Sequence, residues 1–380
     1  MSPGARLGPD GTPAGNGTQR ASTFPPHGAF DMKSSLALAA LFAATAFAGA
    51  AHAQELPKTH LKVVGGLSNL TAYNDYEKPF WTKTIPELSQ GRVTADIKGF
   101  NEMGLKGPEL LRLMSQGVVE FGTATLSYFA SDNPINEAID LAGLSPDVET
   151  ARKVTKAFEP VYGRFYGQGS NVKLLGISTY PAQVLFCNAE IKSLADIKGK
   201  KVRTSSRTVA EFVEALGGSS VTMSFGEVVP ALQNKVVDCA ITGSLSGYSA
   251  KWYEVSTHLY ALPINWNQQI HAVNQKAWDK LDPKVQNFLQ TNINKLVDDI
   301  WQAAARQTQE GYDCNTGAAA CPQPVKGKMV LVEPTDADRA LLKKVLQESV
   351  LPKWAARCSA DCVKSFNETI GKELNLTASK

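Results

Sequence analysis

The fold is decided by residues 201–217, which read KVRTSSRTVAEFVEALG. The first three, Lys201 to Arg203, are typical of a short β-strand, and three polar residues follow them. Apolar side chains then recur at three- and four-residue spacing as far as Leu216, which indicates an amphipathic helix, and Gly217 is a typical helix stop. A strand that leads through a polar turn into a helix is the repeating unit of an α/β fold.

The same alternation continues on both sides of this unit. Further strands are predicted at 61–66, 93–97, 118–123, 184–187 and 236–241, and helices at 73–88 and 108–116. Because strands alternate with helices, we expect parallel sheets covered by helices.

One predicted helix is unusually long. Asp282 and Pro283 offer an N-cap and a first-turn proline, and the apolar periodicity runs from there to near Gly311. At 1.5 Å per residue the helix would span roughly 40 Å, which is longer than one small lobe. We therefore expect it to lie across two lobes.

The first 53 residues are predicted to be absent from the working protein. Residues 1–31 are rich in Gly, Pro and Ala and are predicted to be a disordered extension, so Met32 is the expected true start. A basic beginning, an apolar run over 36–47 and a small-x-small site at 51–53 indicate a secretion signal. The apolar run is too short for a bilayer span, so we expect cleavage before Gln54 and a periplasmic protein.

All the cysteines follow this signal, and their even number predicts disulfides in an exported protein. They are Cys187, Cys239, Cys314, Cys321, Cys358 and Cys362. Sequence alone leaves every pairing open; the local choice joins Cys314 to Cys321 and Cys358 to Cys362, with Cys187 and Cys239 remaining. Residues four apart in a regular helix are too distant for a disulfide, so the second of these pairs requires the chain to leave the helix near Cys358.

Several function classes lack their signatures. The net charge is only +3, which gives no basic footprint for nucleic acid. His60, His258 and His271 do not have metal-ligand spacing, and Leu245 stands where a Gly-x-Ser-x-Gly elbow would need its serine. We therefore predict a protein that is not an enzyme and that has no metal and no cofactor.

Arg203 is the most informative single residue. It ends a short strand and precedes a polar turn and a helix start, where free backbone N–H groups favour anions. A guanidinium can hold a carboxylate through two parallel hydrogen bonds, and ligands bind at the carboxyl ends of strands in α/β folds. The sequence predicts a carboxylate site here; the alternative is a solvated surface arginine.

Residues 188–242 resemble the substrate-binding proteins of tripartite ATP-independent periplasmic (TRAP) transporters. The resemblance lies in Asn188-x-x-Ile191-Lys-Ser-Leu-Ala-Asp-Ile-Lys-Gly199, in Lys201-Val-Arg203, in Glu214-Ala-Leu-Gly217, in Met223-Ser-Phe-Gly-Glu-Val-Val-Pro-Ala-Leu-Gln233 and in Val236-Val-Asp238. Earlier, Leu111-x-x-Met114-x-x-Gly117-Val-Val-Glu-Phe121 is similar to the first lobe of that family. The likeness extends loosely over 58–370.

This resemblance implies two α/β lobes around a hinge of crossing strands, with a long helix spanning both. We expect lobe I at 54–180 and about 269–308, and lobe II at 181–268 and about 309–380. It also implies a small carboxylate ligand closed between the lobes, TRAP membrane subunits as partners, and a monomer. The arginine that grips the carboxylate in this family falls on Arg203.

Other pocket positions follow from the same resemblance. Phe225 falls where the family often has an aromatic residue against the ligand. Gln183, Thr242 and Thr125 stand where sialic-acid-binding members or the wider family carry an arginine, an asparagine and an acid, so an acidic sugar is disfavoured. We also expect five residues to line the cleft, with a structural role as the alternative for each: Asn69, Ser206, Arg207, Trp266 and Asn267.

Two rival interpretations remain at this stage. A related binding protein could serve an ABC transporter or a sensor kinase, and a secreted enzyme could use the same scaffold.

Overall fold

The computed structural model describes residues 55–380; the predicted extension, secretion signal and cleavage site lie outside the described residues. The strands are β1 (Thr59–Gly65), β2 (Val93–Gly99), β3 (Phe121–Thr125), β4 (Val172–Ser178), β5 (Gln183–Cys187), β6 (Lys201–Thr204), β7 (Ser219–Thr222), β8 (Cys239–Gly243), β9 (His258–Asn265), β10 (Gln269–Asn274) and β11 (Val330–Val332). The main helices are α1 (71–88), α2 (Leu110–Ser115), α3 (Val148–Gly169), α4 (Arg207–Ala215), α5 (Val228–Gln233), α6 (Ser244–Ser249), α7 (Gln275–Asp279), α8 (Pro283–Thr316), α9 (336–357) and α10 (360–374).

The strands form two sheets, each with its own helices. The first has the order β2-β1-β3-β10-β4, and the second has the order β11-β9-β5-β8-β6-β7. The predicted two-lobed α/β fold is thereby confirmed.

The prediction of purely parallel sheets is wrong. Strand β1 is parallel to β2 and β3, and β6 is parallel to β7 and β8. Strand β10, however, is antiparallel to β3 and β4, and β5 is antiparallel to β8 and β9. The chain crosses directly from one sheet to the other at 179–182 and again at 266–268, without a covering helix between the strands. Strands joined without a crossover helix are not bound to the parallel arrangement, and here β5 and β10 each run antiparallel to both of their neighbours.

Two of the strands that reach the cleft begin later than predicted. Strand β3 starts at Phe121 rather than at 118, and β8 starts at Cys239 rather than at 236. The exposed fractions of Val118 and Val236 are 70% and 53%, so both valines belong to the preceding turn. At their other ends the two strands extend to Thr125 and Gly243, so their last residues reach the cleft.

Helix α8 spans both sheets, as predicted. At 34 residues it is about 50 Å long. Its first half packs through residues such as Leu289 and Ile293 against the first sheet, whereas Asn315 near its end donates to the carbonyl of Ser244 in α6. The predicted stop at Gly311 is wrong: a β-carbon there would lie 2.3 Å from the backbone nitrogen of Leu245, so this glycine permits close packing of α8 on α6.

The cysteines form the local set of disulfides. Cys314 pairs with Cys321, Cys358 with Cys362, and Cys187 with Cys239 across β5 and β8. Cys358 has extended backbone angles between α9 and α10, so the chain leaves the helix at the required position.

Candidate functional site

A small, partly open cavity lies where strand ends from the two sheets meet. We call it the inner cavity. It is lined by Leu67, Leu70, Thr125, Tyr128, Tyr180, Gln183, Arg203, Ser205, Phe225, Thr242, Ser246 and Asn267. The first five come from strands of the first sheet or from the segments that follow them, and most of the others come from the second sheet. Ligands of open α/β folds bind at such strand ends.

Arg203 is the centre of the second-sheet wall. Its exposed fraction is 2%, and its side chain is held by backbone carbonyls rather than by an acid. Nε and Nη2 donate to the Met223 carbonyl at 3.2 and 3.0 Å, and Nη1 donates to the Ile241 carbonyl at 2.8 Å. A guanidinium has five N–H donors, so two remain for a ligand.

The positive charge of Arg203 has no counter-ion within the described part of the chain. No carboxylate there forms an ion pair with the guanidinium, and burial lowers its pKa to about 10, although Tyr128 and Glu227 oppose that change. Its guanidinium carbon lies 6.0 Å from the centre of the Trp252 ring, which also stacks on Phe225. A buried cation without a partner costs free energy, and an anionic ligand would recover part of that cost.

Hydroxyl groups form much of the opposite wall. Tyr128 follows β3 and Tyr180 follows β4, and the hydroxyl of Thr125 interacts with both phenol groups. Burial raises the pKa of Tyr128 and of Tyr180, so both remain neutral at physiological pH. This wall offers hydrogen-bond donors and acceptors without charge.

The turn between β9 and β10 contributes Asn267 to the cavity. The turn is held by Asp140, which accepts the backbone N–H of Trp266 at 2.8 Å, the backbone N–H of Asn267 and the side-chain amide of Asn265 at 2.7 Å. Asn267 has a φ of 55°, a left-handed conformation that asparagine tolerates better than most residues. Burial raises the pKa of Asp140 to about 6 despite these hydrogen bonds.

The structure brings six of the predicted site residues together in the inner cavity: Arg203, Gln183, Phe225, Thr242, Thr125 and Asn267. All six are buried.

It places the other four outside that cavity. Ser206 is the N-cap of α4, where its hydroxyl accepts the Val209 N–H, and Arg207 donates to Glu211 at 3.2 Å. Both residues line the larger outer cavity described below. Asn69 is exposed. Trp266 is buried on the far side of the turn, where its indole N–H donates to the Ser145 carbonyl.

Sequence reasoning missed the remaining lining residues: Leu67, Leu70, Tyr128, Tyr180, Ser205 and Ser246. The N-cap position of Ser206 was the available signal for Ser205, because a capping side chain turns toward the helix and leaves its neighbour free for the cleft. Tyr128 follows a strand that the sequence predicts, and Tyr180 follows one that only the structure shows. Nothing in the local sequence distinguishes either tyrosine from an aromatic residue of the core.

An outer cavity of about 1460 Å³ adjoins the inner one, and Tyr128 and Ser205 line both. Contacts between the lobes surround it. Lys106, before α2, reaches Glu227 of the second lobe at 3.3 Å, with both side chains exposed. More deeply, Glu137 accepts the backbone N–H of Thr208 at 3.1 Å and pairs with Arg357, which also contacts Glu211.

Neither a metal centre nor a membrane span was found where the chain is described. No group of three or more His, Cys, Asp or Glu side chains within residues 55–380 could hold a metal ion. Among the helices of that region, none combines the length and apolar composition that crossing a bilayer requires.

Known proteins were compared with the chain. The model of the family described as bacterial extracellular solute-binding protein, family 7, matches residues 69–355. The sialic acid-binding periplasmic protein SiaP of Vibrio cholerae is 24% identical over 60% of this chain and 71% of its own length. The C4-dicarboxylate-binding periplasmic protein DctP of Rhodobacter capsulatus is 26% identical over 56% of this chain, a match that spans 64% of that relative, just under two thirds.

Solved structures show the same fold. A TRAP periplasmic solute-binding protein of Desulfovibrio salexigens with bound orotic acid superposes with a TM-score of 0.72 at 19% identity, over 82% of this chain and 99% of that one. The Bordetella pertussis receptor DctP6, which binds pyroglutamic acid, gives a TM-score of 0.72 at 22% identity over the same shares. Because the family model covers well over half of the sequence, this chain belongs to family 7 of the bacterial extracellular solute-binding proteins.

Proposed function

We propose that this chain is the periplasmic binding component of a TRAP transporter. It captures a small organic acid in the inner cavity by its carboxylate and delivers the acid to the membrane subunits. The observation that carries the proposal is Arg203, a buried guanidinium with two unused N–H donors, no acidic partner among residues 55–380 and a cavity in front of it.

The electrostatics favour an anion at this position. A carboxylate matches the planar fork of a guanidinium and accepts two parallel charge-assisted hydrogen bonds. Because Arg203 is buried, these bonds are shielded from water and salt and are stronger than at a surface. The cleft between lobes also gives a route for entry and release through the outer cavity.

Relatives support the class of ligand. One is described as binding sialic acid and another as binding C4-dicarboxylates, and solved relatives contain orotic acid or pyroglutamic acid. All of these ligands carry a carboxyl group. Their diversity means that the individual acid must be found by experiment.

Mass spectrometry of small molecules retained by the purified protein would identify the acid, and calorimetry would then measure its affinity. We expect one ligand per chain and a binding loss in Arg203→Ala. The matched control is Arg112→Ala, because Arg112 is exposed on α2 and lies outside both cavities. A protein that binds no organic acid, or that converts the acid into a product, would contradict the proposal.

The transport role needs a separate test. Uptake of the identified acid should require this chain together with the large and small membrane subunits of one TRAP system. Uptake that depends on added ATP-hydrolysing subunits instead would assign the chain to another transporter class.

A further inference from the structure

The charges around the inner cavity point to a narrower ligand class. Arg203 is the one lining residue with a formal charge among the residues that the structure describes. The cations that line the outer cavity are already paired: Lys106 with Glu227, Arg207 with Glu211, and Arg357 with Glu137. A ligand in the inner cavity therefore meets one positive charge.

The buried groups behind the cavity add no second positive charge. Glu77 lies behind Gly66, whose backbone N–H it accepts at 2.9 Å, and a β-carbon on Gly66 would be 3.8 Å from the Tyr180 hydroxyl. His271 is fully enclosed between Thr123 and Ser178, and burial lowers its pKa to about 4, so it is neutral at physiological pH. A second anion on the ligand would meet no positive charge among these buried groups. The carboxyl group of Glu77 would lie near it instead.

Neutral polar groups remain available at the far end. The Gln183 amide nitrogen donates one N–H to the Pro181 carbonyl at 3.0 Å, so its oxygen and its second N–H remain unused. The Asn267 oxygen accepts from the Ser127 hydroxyl at 3.2 Å, so its amide nitrogen is the unused donor. A ligand group that both donates and accepts hydrogen bonds would satisfy the Gln183 oxygen and the Asn267 N–H together, whereas a carboxylate has no donor for the Gln183 oxygen.

We infer that the natural ligand is a monoanion, with one carboxylate at Arg203 and a neutral amide- or hydroxyl-type group toward Gln183 and Asn267. Its carbon skeleton would lie against Leu67, Leu70 and Phe225, the apolar part of the wall. This inference rests on the proposed function and narrows it, because dicarboxylates and phosphates are excluded from the preferred class.

Matched pairs of small acids test the inference. Succinamate and succinate have the same carbon chain, but succinamate ends in a neutral carboxamide where succinate has a second carboxylate. The pairs malonamate and malonate, and glutaramate and glutarate, extend the comparison to shorter and longer chains. We expect each monoamide to bind at least about tenfold more tightly than its diacid, because a second buried carboxylate lacks a counter-charge. Butyrate, which lacks a second polar group, should also bind more weakly than succinamate, since it leaves both amides unpaired.

Proton linkage provides an independent readout. Any diacid that does bind should take up about one proton at pH 7, because burial without a counter-charge favours the neutral carboxyl group. Calorimetry in buffers of different ionisation enthalpy measures this uptake, and succinamate should show none.

The outcomes separate the inference from the proposed function. Monoamide preference that is lost in Arg203→Ala, with a cooperative unfolding transition as the fold control, would support both. A diacid that binds as tightly as its monoamide without proton uptake, and that still requires Arg203, would overturn the inference and leave the proposed function standing. Binding of neither series would overturn the inference alone, whereas binding that survives in Arg203→Ala would overturn both.

Discussion

Replacement of Arg203 by alanine removes the group on which the carboxylate site depends. The two free N–H donors would each give a charge-assisted hydrogen bond worth about 1.5–3 kcal/mol. Truncation also leaves the ligand carboxylate buried without a partner, and breaking a buried pair in this way costs about 3–5 kcal/mol. We expect Kd to rise by about 10²–10⁴-fold.

The same substitution affects the fold through two carbonyls. Met223 and Ile241 lose the donors that Arg203 supplies, which costs about 1–3 kcal/mol for each buried group left unpaired. Removal of a buried cation opposes this cost, because the guanidinium is desolvated and has no counter-ion. We therefore expect only a modest net change in the free energy of unfolding, and urea denaturation would measure it.

Calorimetry on three variants gives the answer once the acid is known. Arg203→Lys keeps a positive charge but cannot reproduce the planar fork, so its affinity should lie between those of Arg203→Ala and the wild type. Arg112→Ala should bind like the wild type. Near wild-type affinity in Arg203→Ala, with a normal unfolding transition, would refute the carboxylate assignment.

Three further outcomes can be checked without the ligand. Burial lowers the pKa of His271 to about 4 from an ordinary 6.5. Between these values the unfolded chain binds a proton that the folded chain does not, so the free energy of unfolding falls as the pH falls through this range. The decrease should reach about 3 kcal/mol in urea titrations and should be absent from His271→Gln. Alkylation under denaturing, non-reducing conditions should label none of the six cysteines, and several labelled thiols in exported protein would contradict the pairing. N-terminal sequencing of periplasmic material should begin at Gln54; retention of residues 33–53 would rule out cleavage there.

The second-sheet side of the site could largely be predicted from the sequence because its signals are local. A strand, a polar turn and a helix start lie within a few residues of each other around Arg203, and the chemistry of that arrangement does not depend on the rest of the chain. Ser206 lines the outer cavity rather than the inner one for an equally local reason. Its hydroxyl caps α4 by accepting the Val209 N–H, and the adjacent Ser205 lines the cavity instead.

The first-sheet side could not be predicted in this way. Tyr128 and Tyr180 face Arg203 only because β10 lies between β3 and β4, and that order follows from the chain crossing between the lobes. Hydrophobic periodicity indicates that a strand exists but not which neighbour it pairs with. The same limit explains why the antiparallel strands were expected to be parallel.

Asp140 illustrates how strongly such distant contacts determine the site. It follows a helical turn in the first lobe and shows no motif in the sequence, yet its carboxylate accepts the backbone N–H groups that fix the turn of Asn267, more than a hundred residues later. The buried N–H groups of the turn need an acceptor. With Asn267 in a left-handed conformation, the N–H groups of Trp266 and Asn267 both donate to the Asp140 carboxylate. The amide that we assign to the neutral end of the ligand is therefore positioned by an acid that never reaches the cavity lining. The discrimination that we infer between a monoanion and a dianion depends on the hinge strands and their supports as much as on Arg203 itself.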